Sequence, residues 1–345
     1  MRGTSSTLPR WLAQALTAAL LCASASAQRV GAVAPLAVTQ VQPGVFVHIG
    51  ALEDWGPANR GDVANLGFVV GSRCVAVIDS GGTPGIGQAL RAAVEIATTL
   101  PVCYVVHTHA HPDHMLGAVA FVDASRPAPQ FVASAGFART LTARAPYYLN
   151  ALQRDFGIAL THAQIVYPSI GVANTMDIDL GDRVLALRAW PTAHTDNDLS
   201  VYDRRTRTLF ASDLLFMRHL PVLDGNLRGW ISVMADLKGL DVATVVPGHG
   251  PVSSDWPAAV DAQADYLNTL LRDTRAALRN RLTIQEAVER IGTPSGSNWL
   301  LTDRFHRRNV TAAYAELEWE EDDPPKPAAP SPAASSAHSG RIGGG

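Results

Sequence analysis

The sequence has little charge, and neither sign is in large excess. Of its 345 residues, 17% are charged, with 28 Lys and Arg against 31 Asp and Glu, so the formal net charge is −3. This balance excludes a strongly basic chain, and we expect no nucleic-acid partner. Because 47% of the residues are hydrophobic, the chain can bury a full core, which excludes an intrinsically disordered protein.

Long hydrophobic runs are missing after the N-terminus. The N-terminal run, Trp11–Cys22, follows Arg2 and Arg10 and precedes the small-residue motif Ala25–Ala27, a pattern typical of a secretory signal peptide. We predict a signal peptide over residues 1–27 and a periplasmic or secreted protein. The run is shorter than the roughly 20 residues that span a bilayer, which disfavours an anchor, and no later run suffices, so we expect no membrane span after cleavage.

Cysteine is also scarce, since only Cys74 and Cys103 remain once the predicted signal peptide is removed. Each begins an apolar run that we interpret as a buried strand. In an oxidising compartment the two could pair, and two buried free thiols are the equally supported alternative. Residues 320–345 are rich in Pro, Ala, Ser and Gly without periodicity, so we predict a disordered tail.

Between these ends, residues 28–319 alternate short Val-rich runs with helical patterns, which predicts one mixed α/β domain. The predicted strands are Val45–Ile49, Leu66–Val70, Val75–Ile78, Val102–Val106, Phe131–Ala133, Arg183–Ala189, Leu199–Asp203, Thr208–Ala211 and Thr244–Val246. Helices are predicted over Pro84–Thr99, in a long stretch ending near Phe156, over Pro257–Arg281, after Thr283 with its capping-box partner Glu286, and over Thr302–Trp319.

Histidines are concentrated directly after the predicted strand Val102–Val106, in a segment that runs from His107 to His114. Within it, His109, His111, Asp113 and His114 place three imidazoles and a carboxylate in six residues. Such a cluster is costly to bury without a cation that it coordinates. His109 and His111 can point to one side of the turn, and Asp113 and His114 to another, so one turn could provide ligands for two adjacent metal ions. The alternative is a solvated histidine-rich loop.

The motif His109-x-His111-x-Asp113-His114 resembles the signature of the metallo-β-lactamase superfamily. Three further residues follow in that family's order beside predicted strands: His194 in Thr192–Thr195, Asp213 in Phe210–Asp213 and His249 in Val246–Gly250. The resemblance covers about residues 40–255. It implies an αββα four-layer sandwich, here with extra C-terminal helices.

The resemblance also implies a ligand set for two zinc ions, with iron or manganese as alternatives. His109, His111 and His194 would hold one ion, Asp113, His114 and His249 the other, and Asp213 would bridge them. It implies hydrolysis of a small-molecule acyl substrate, in which a metal-bound hydroxide attacks an ester, thioester or amide carbonyl. Asp113 would act as the catalytic residue that orients the hydroxide and carries its proton to the leaving group.

Two nearby residues are candidates for supporting this loop. Asp79 ends the predicted strand Val75–Ile78, where it either fixes a ligand histidine through a hydrogen bond or caps the following turn. His107 precedes the first ligand by two residues, and we expect it to support the ligands or to pack in the core. We expect His48, His162, His306 and His338 to be ordinary surface or satisfied histidines.

A narrower resemblance comes from the segments Asn59–Asn65, Arg218–Gly225 and Asn309–Tyr314, which are similar to the quinoprotein relay system zinc metallohydrolases. That resemblance implies an exported protein with a possible periplasmic quinoprotein dehydrogenase as partner. Two other functions stay open: a class B metallo-β-lactamase that opens β-lactam rings, and a non-catalytic metal-binding accessory protein of a quinoprotein dehydrogenase.

Residues that follow Asp213 are candidates for the substrate pocket: Arg218, His219, Asp224 and Arg228. The arginines and the histidine there could bind an anionic substrate. A surface loop without a substrate role is the alternative. We expect Trp55 and Asn59 to form a lid over the site and Trp230 to pack behind it.

Overall fold

The computed structural model describes residues 33–125, 127–293 and 298–320, together with Gly3. The predicted signal peptide, apart from Gly3, and the predicted tail, apart from Glu320, lie outside the described residues, as does His338. None of the described helices is both long enough and apolar enough to cross a membrane.

Twelve strands form two sheets among the described residues. The first sheet contains, in spatial order, β1 (Thr39–Gln42), β2 (Val45–His48), β3 (Leu66–Val70), β4 (Val75–Ile78), β5 (Val102–Val106), β6 (Gln130–Ser134) and β7 (Ile170–Val172). The second sheet contains, in spatial order, β12 (Thr244–His249), β11 (Thr208–Phe216), β10 (Leu199–Asp203), β9 (Val184–Ala189) and β8 (Thr175–Asp179). Strands β4 to β7 pair in parallel, and so do β11 and β12.

Seven α-helices accompany the sheets within the described part of the chain: α1 (Pro84–Ala97), α2 (Pro112–Met115), α3 (Phe137–Phe156), α4 (Leu227–Lys238), α5 (Asp261–Arg279), α6 (Ile284–Arg290) and α7 (Thr302–Leu317). Short 3-10 helices cover Pro57–Asn59, Leu116–Phe121, His162–Gln164 and Ala258–Val260. The capping box predicted at Thr283 is confirmed, because its hydroxyl accepts from Glu286 N while the Glu286 carboxylate accepts from Thr283 N.

Alternating side chains explain why the elements stack in four layers. In β4, Ala76 and Ile78 face a core that both sheets share, whereas Val75 and Val77 pack on the other face with Leu90 of α1. The outer face of the second sheet is covered by α4, α5, α6 and α7, through a cluster that includes Trp230. The predicted αββα sandwich with extra C-terminal helices is therefore confirmed.

The strand and helix predictions were right where patterns were strong and failed at sheet edges. Leu66–Val70, Val75–Ile78, Val102–Val106 and Leu199–Asp203 are strands with the predicted bounds. The edge strands β1, β7 and β8 were not predicted, and neither was the helix α4. The predicted helix Pro257–Arg281 begins as an α-helix only at Asp261, since a 3-10 turn precedes it.

Cys74 and Cys103 form a disulfide, with their Cα atoms 5.8 Å apart. The bond joins the start of β4 to its parallel neighbour β5, as the first of the two alternatives predicted. The bridge ties the two strands whose following turns carry Asp79 and the histidine cluster.

Candidate metal centre

Seven predicted ligands from distant parts of the chain meet near the ends of strands of both sheets. They are His109, His111, Asp113 and His114 after β5, His194 between β9 and β10, Asp213 within β11 and His249 at the end of β12. All but His111 and Asp113 are buried. The topology thus brings together residues that are up to 140 positions apart in the chain.

Two ligand-bearing segments differ from the prediction. Asp113 and His114 lie in the first turn of α2 instead of on a loop, because Pro112 starts that helix with its fixed φ angle. Asp213 lies inside β11 instead of at its end, since the apolar run Leu214–Phe216 continues the strand in the buried interior.

The first group of ligand atoms comes from His109, His111, His194 and Asp213, and all of them lie within 4.8 Å of one another. His111 Nδ1 lies 3.0 Å from His109 Nε2 and 3.1 Å from His194 Nε2. Asp213 Oδ2 is 3.3 Å from His194 Nε2 and 3.7 Å from His109 Nε2. Three imidazole nitrogens and a carboxylate oxygen therefore converge on one point.

The second group comes from Asp113, His114 and His249, again within 4.8 Å of one another. Asp113 Oδ2 lies 3.4 Å from His249 Nε2 and 3.6 Å from His114 Nε2. Asp213 reaches this group as well, since its Oδ1 is 3.1 Å from His114 Nε2 and its Oδ2 is 3.5 Å from His249 Nε2. One carboxylate thus touches both groups, as the bridging interpretation requires.

Each of the five histidines has its other ring nitrogen next to a hydrogen-bond partner. Two are carboxylates, with Asp79 2.8 Å from His114 Nδ1 and Asp224 2.9 Å from His111 Nε2. The remaining partners are Val222 O for His194 Nδ1 at 2.7 Å, Val63 O for His249 Nδ1 at 2.9 Å and Thr108 Oγ1 for His109 Nδ1 at 3.1 Å. An N–H that donates on one side of a ring leaves a lone pair on the other, which is the state a metal ligand needs.

Asp79 supports the histidine cluster and does not merely cap a turn. Its Oδ1 accepts from Thr108 N at 2.8 Å, and its Oδ2 accepts from Thr108 Oγ1 at 2.8 Å in addition to His114. Asp79 itself has a left-handed backbone, with φ of 58°, and Ser212 beside the bridging Asp213 has φ of 49°. Non-glycine residues rarely adopt this conformation, and they hold it when surrounding contacts demand it.

The backbone passes very close to Asp213 at Gly248. A Cβ atom at this position would lie 1.8 Å from Asp213 Oδ1 and 2.7 Å from Asp213 N. Only glycine therefore allows β12 to bring His249 beside the bridging carboxylate.

Burial and charge shift the pKa values of the ligands in different directions. Burial lowers the pKa of His194 to about 3 and holds that of His109 well below its usual value. Burial also acts to lower the pKa of His114 and His249, but the carboxylates of Asp213 and Asp113 outweigh it and raise both. His109 and His194 are thus held as neutral imidazoles that can donate lone pairs, whereas His114 and His249 interact more strongly with carboxylates.

The residues fit a metal centre. His114 Nε2 and Asp213 Oδ1 are buried and lie 3.1 Å apart without the alignment of a hydrogen bond, and neither atom has another hydrogen-bond partner in the described structure. Buried polar atoms normally find partners, and a cation would satisfy both. Imidazole with carboxylate oxygen is a donor set that suits zinc and, less tightly, iron or manganese.

A cavity of about 470 Å³ opens directly over both ligand groups. Its outer wall includes Trp55, Tyr147, Tyr148, Arg144, Arg304 and Arg308. Trp55 lines this cavity and packs against Phe156 with ring centroids 4.6 Å apart, so it lies where a lid residue would have to be, and its role as a lid stays a prediction. Asn59 instead stays with its own turn, where its Oδ1 accepts from Gly56 N and Gly61 N.

The four residues predicted to line the substrate pocket lie in different parts of the structure, and not all of them line the cavity. His219 lines the cavity, and its ring centroid is 4.9 Å from that of His249. Asp224 lies behind the wall, bonded to His111. Arg218 lines a separate, largely apolar cavity beside Ile49 and Leu52, so its expected place at the pocket mouth is wrong.

Arg228 is also outside the cavity. It lies in the first turn of α4 and pairs with Glu320, its Nη1 lying 3.1 Å from Oε1. Trp230, two residues later, packs behind the site as predicted, with its ring centroid 5.3 Å from that of His194. Its Nε1 donates to Leu214 O at 3.0 Å.

His107 lies in the core. It is fully buried between Phe131 and Phe137, at centroid distances of 6.1 and 5.5 Å, and neither ring nitrogen has a hydrogen-bond partner in the described structure. Burial lowers its pKa to about 4. His48 and His306 are satisfied as expected, by Asp62 and Ala37 O and by Tyr266 and Ile291 O.

Arg144 of α3 and the arginines of α7 were not predicted as site residues. These arginines lie at separate positions on amphipathic helices, where the sequence pattern indicates only that they are on the surface. The α7 arginines reach the cavity through the contact between α7 and the loop after β11, and no local sequence pattern predicts that contact.

Comparison with known proteins places the fold and site in a family. The family model described as the metallo-beta-lactamase superfamily matches residues 59–249. The chain belongs to the metallo-β-lactamase superfamily. This matched region contains all seven ligand candidates, and α5, α6 and α7 of this superfamily member lie beyond it.

Individual relatives are distant. A Beta-lactamase-like protein 2 homolog from Caenorhabditis elegans is 22% identical over 201 residues, which cover 58% of this chain. The chain spans about 60% of the length of that relative. A metallo-beta-lactamase from Pontibacter korlensis has a similar structure, with a TM-score of 0.54, 20% identity and coverage of 68% of this chain and 99% of that one.

The stereoselective inverting sec-alkylsulfatase Pisa1 from Pseudomonas sp. is also similar in structure. The TM-score is 0.62 with 14% identity, and the alignment covers 83% of this chain and 50% of the sulfatase chain. At these identities the two solved structures support the fold of this superfamily member, and they say nothing about its substrate.

Proposed function

We propose that this superfamily member is a dinuclear zinc hydrolase that cleaves an ester, thioester or amide bond of a small-molecule acyl substrate. The observation that carries the proposal is the ring arrangement: five histidines are oriented through their outer nitrogens, while their inner nitrogens converge around Asp213. The superfamily consists mostly of hydrolases, which agrees with this proposal.

Zinc ions held by the two ligand groups would polarise the substrate carbonyl and lower the pKa of a water molecule. The chain's own residues supply positioning and proton transfer. Asp79 and Asp224 hold the His114 and His111 rings, which keeps the ligand geometry fixed before the substrate arrives.

Asp113 is the residue that we propose as proton carrier. Its side chain is 15% exposed, more than the 4% of the bridging Asp213, so its carboxylate can contact both the ligand cluster and the cavity. A carboxylate in that position accepts a proton from the attacking water and returns it to the leaving group.

His219 is proposed to contact the substrate as a neutral group. Burial lowers the pKa of His219 to about 4, and its Nδ1 donates to Leu220 O at 2.7 Å. Its Nε2 therefore carries a lone pair, so the ring can accept a hydrogen bond from a substrate N–H or O–H.

The proposed setting is the periplasm or the exterior of the cell, supported by the signal-peptide pattern of residues 1–27. The link to a periplasmic quinoprotein dehydrogenase is supported by the three flanking segments that resemble the quinoprotein relay branch. It predicts that such a dehydrogenase co-purifies with the protein.

The test is turnover by the zinc-loaded chain lacking residues 1–27, across matched β-lactams, thioesters, esters, lactones and a secondary alkyl sulfate. We expect chelator-sensitive hydrolysis of esters or thioesters that returns when zinc is restored. Hydrolysis of β-lactams alone would replace the proposal by a β-lactamase. Two bound zinc ions without turnover in any class would instead support an accessory role.

A further inference from the structure

The outer wall of the cavity contains a pair of arginines from helices far apart in the sequence. Arg144 comes from α3 and Arg308 from α7, and both line the cavity over the ligands. Helix α7 lies outside the region that matches the family, residues 59–249, so Arg308 belongs to a part of the chain that the superfamily motif does not explain.

A single carboxylate lies between the two arginines. Arg144 Nη1 is 2.5 Å from Asp224 Oδ2, and Arg308 Nη2 is 3.1 Å from Asp224 Oδ1. Asp224 Oδ2 also lies 2.9 Å from His111 Nε2. The carboxylate thus offsets one of two guanidinium charges, and this side of the cavity keeps a positive excess.

The other charged residues of the outer wall have partners of their own. Arg304 Nε lies 2.7 Å from Asp54 Oδ2, and Arg154 Nη2 lies 2.6 Å from Asp155 Oδ2. Glu53 Oε2 accepts from the Asn59 amide at 3.2 Å. The positive excess is therefore local to the pair Arg144 and Arg308, and negative charge is concentrated near residues 53–54.

Both arginines also have free capacity for a ligand. Their side chains are 40% and 51% exposed, and Asp224 binds one nitrogen atom of each guanidinium. A guanidinium has five N–H donors in a planar fork that matches a carboxylate. Since Asp224 fixes both side chains from behind, little conformational entropy is lost when they bind an anion.

We propose that Arg144 and Arg308 bind an oxyanion of the substrate, which makes the preferred substrates esters or thioesters that carry a carboxylate away from the scissile bond. This inference rests on the proposed function for the bond that is cleaved. Arg144 and Arg308 determine the substrate specificity, and Asp224 positions both arginines relative to His111.

The test compares two 4-nitrophenyl esters of similar length, a neutral butyrate and an anionic hemiglutarate, with the zinc-loaded full chain. We expect a higher kcat/KM for the anionic ester. In Arg308→Gln and Arg144→Gln, the ratio of the two kcat/KM values should fall about tenfold, and Arg308→Lys should restore part of it. Arg307→Gln is the matched control, because Arg307 lies on the same helix, is exposed and does not line the cavity.

A binding measurement separates failure of this inference from failure of the proposed function. Calorimetry with glutarate and with butyrate should give tighter binding of the dicarboxylate, lost in Arg308→Gln and kept in Arg307→Gln, whether or not any ester is cleaved. Equal binding of the two acids, or equal loss in both variants, overturns the anion site. If glutarate binds as expected but no ester is hydrolysed, the anion site stands and the proposed hydrolase function fails.

Discussion

Asp224 Oδ2 lies 2.9 Å from Nε2 of His111, whose Nδ1 faces the ligand cluster. The hydrogen bond fixes the ring orientation and favours the tautomer with a lone pair on Nδ1. Two arginines contact the same carboxylate, so ligand geometry and the cavity wall share one residue.

Replacing Asp224 by Asn should therefore weaken zinc binding about 10- to 100-fold, because His111 loses its charged partner. Competition with a chromophoric chelator measures this affinity. Asp236→Asn is the control, since Asp236 is an exposed helix residue that pairs with Arg188. Equal affinity in Asp224→Asn and the wild type would contradict the role of Asp224.

Gly248→Ala should disrupt the bridging position. The added Cβ would lie 1.8 Å from Asp213 Oδ1, so β12 or the carboxylate must move. We expect a lower melting temperature and a loss of zinc stoichiometry. Gly239→Ala is the matched control, because its nearest atom would be Asp236 O at 3.4 Å, an ordinary contact. A Gly248→Ala protein with unchanged melting and zinc content would show that the close approach is not required.

Asp113→Asn should lower kcat about 100-fold or more while the fold is kept, because an amide cannot accept the proton. Circular dichroism melts and zinc content have to be measured on the same preparation. Turnover near the wild-type rate with zinc bound would rule out Asp113 as proton carrier.

Zinc affinity should rise with pH. Burial acts to lower the pKa of His114 and His249, but carboxylates outweigh it and raise both, so in the metal-free protein each ring keeps its proton to a higher pH than a free imidazole does. Zinc must displace these protons, and its apparent affinity therefore increases as pH rises through those pKa values.

Calorimetry in buffers of different ionisation enthalpy measures the released protons between about pH 6 and about pH 8. His162→Gln serves as control, since His162 is exposed and far from the ligand set in the chain. Zinc binding without proton release across that range would contradict the ligand role of His114 and His249.

The sequence predicted the ligands better than their surroundings. His109 to His114 form a dense local motif, and the resemblance to the superfamily implied His194, Asp213 and His249, each of which would have been a weak signal alone. The strand β8, Thr175–Asp179, alternates polar and apolar residues, but it is short and two of its five residues are Asp, which is depleted in strands, so it was not predicted. The helix α4 was also not predicted, although its buried apolar residues recur at helical spacing: Leu227, Trp230, Val233, Met234 and Leu237.

The pocket could not be predicted in the same way. Arg218 follows Asp213 closely in sequence but has a left-handed backbone, with φ of 67°, and lines another cavity. Arg308 is 95 residues beyond Asp213 in the chain and reaches the cavity only because α7 packs against the loop that contains Asp224. Tertiary packing of the C-terminal helices, which no local pattern encodes, determines that wall.

The central claim is that the ligand set holds two metal ions bridged by Asp213. The most direct test of this claim is the zinc content after equilibrium dialysis, measured by inductively coupled plasma mass spectrometry. The measurement compares the wild type, His249→Ala and the control His162→Gln. We predict two zinc ions per chain in the wild type and the control, and one in His249→Ala. A wild type that saturates with a single zinc ion, or with none, would contradict the claim.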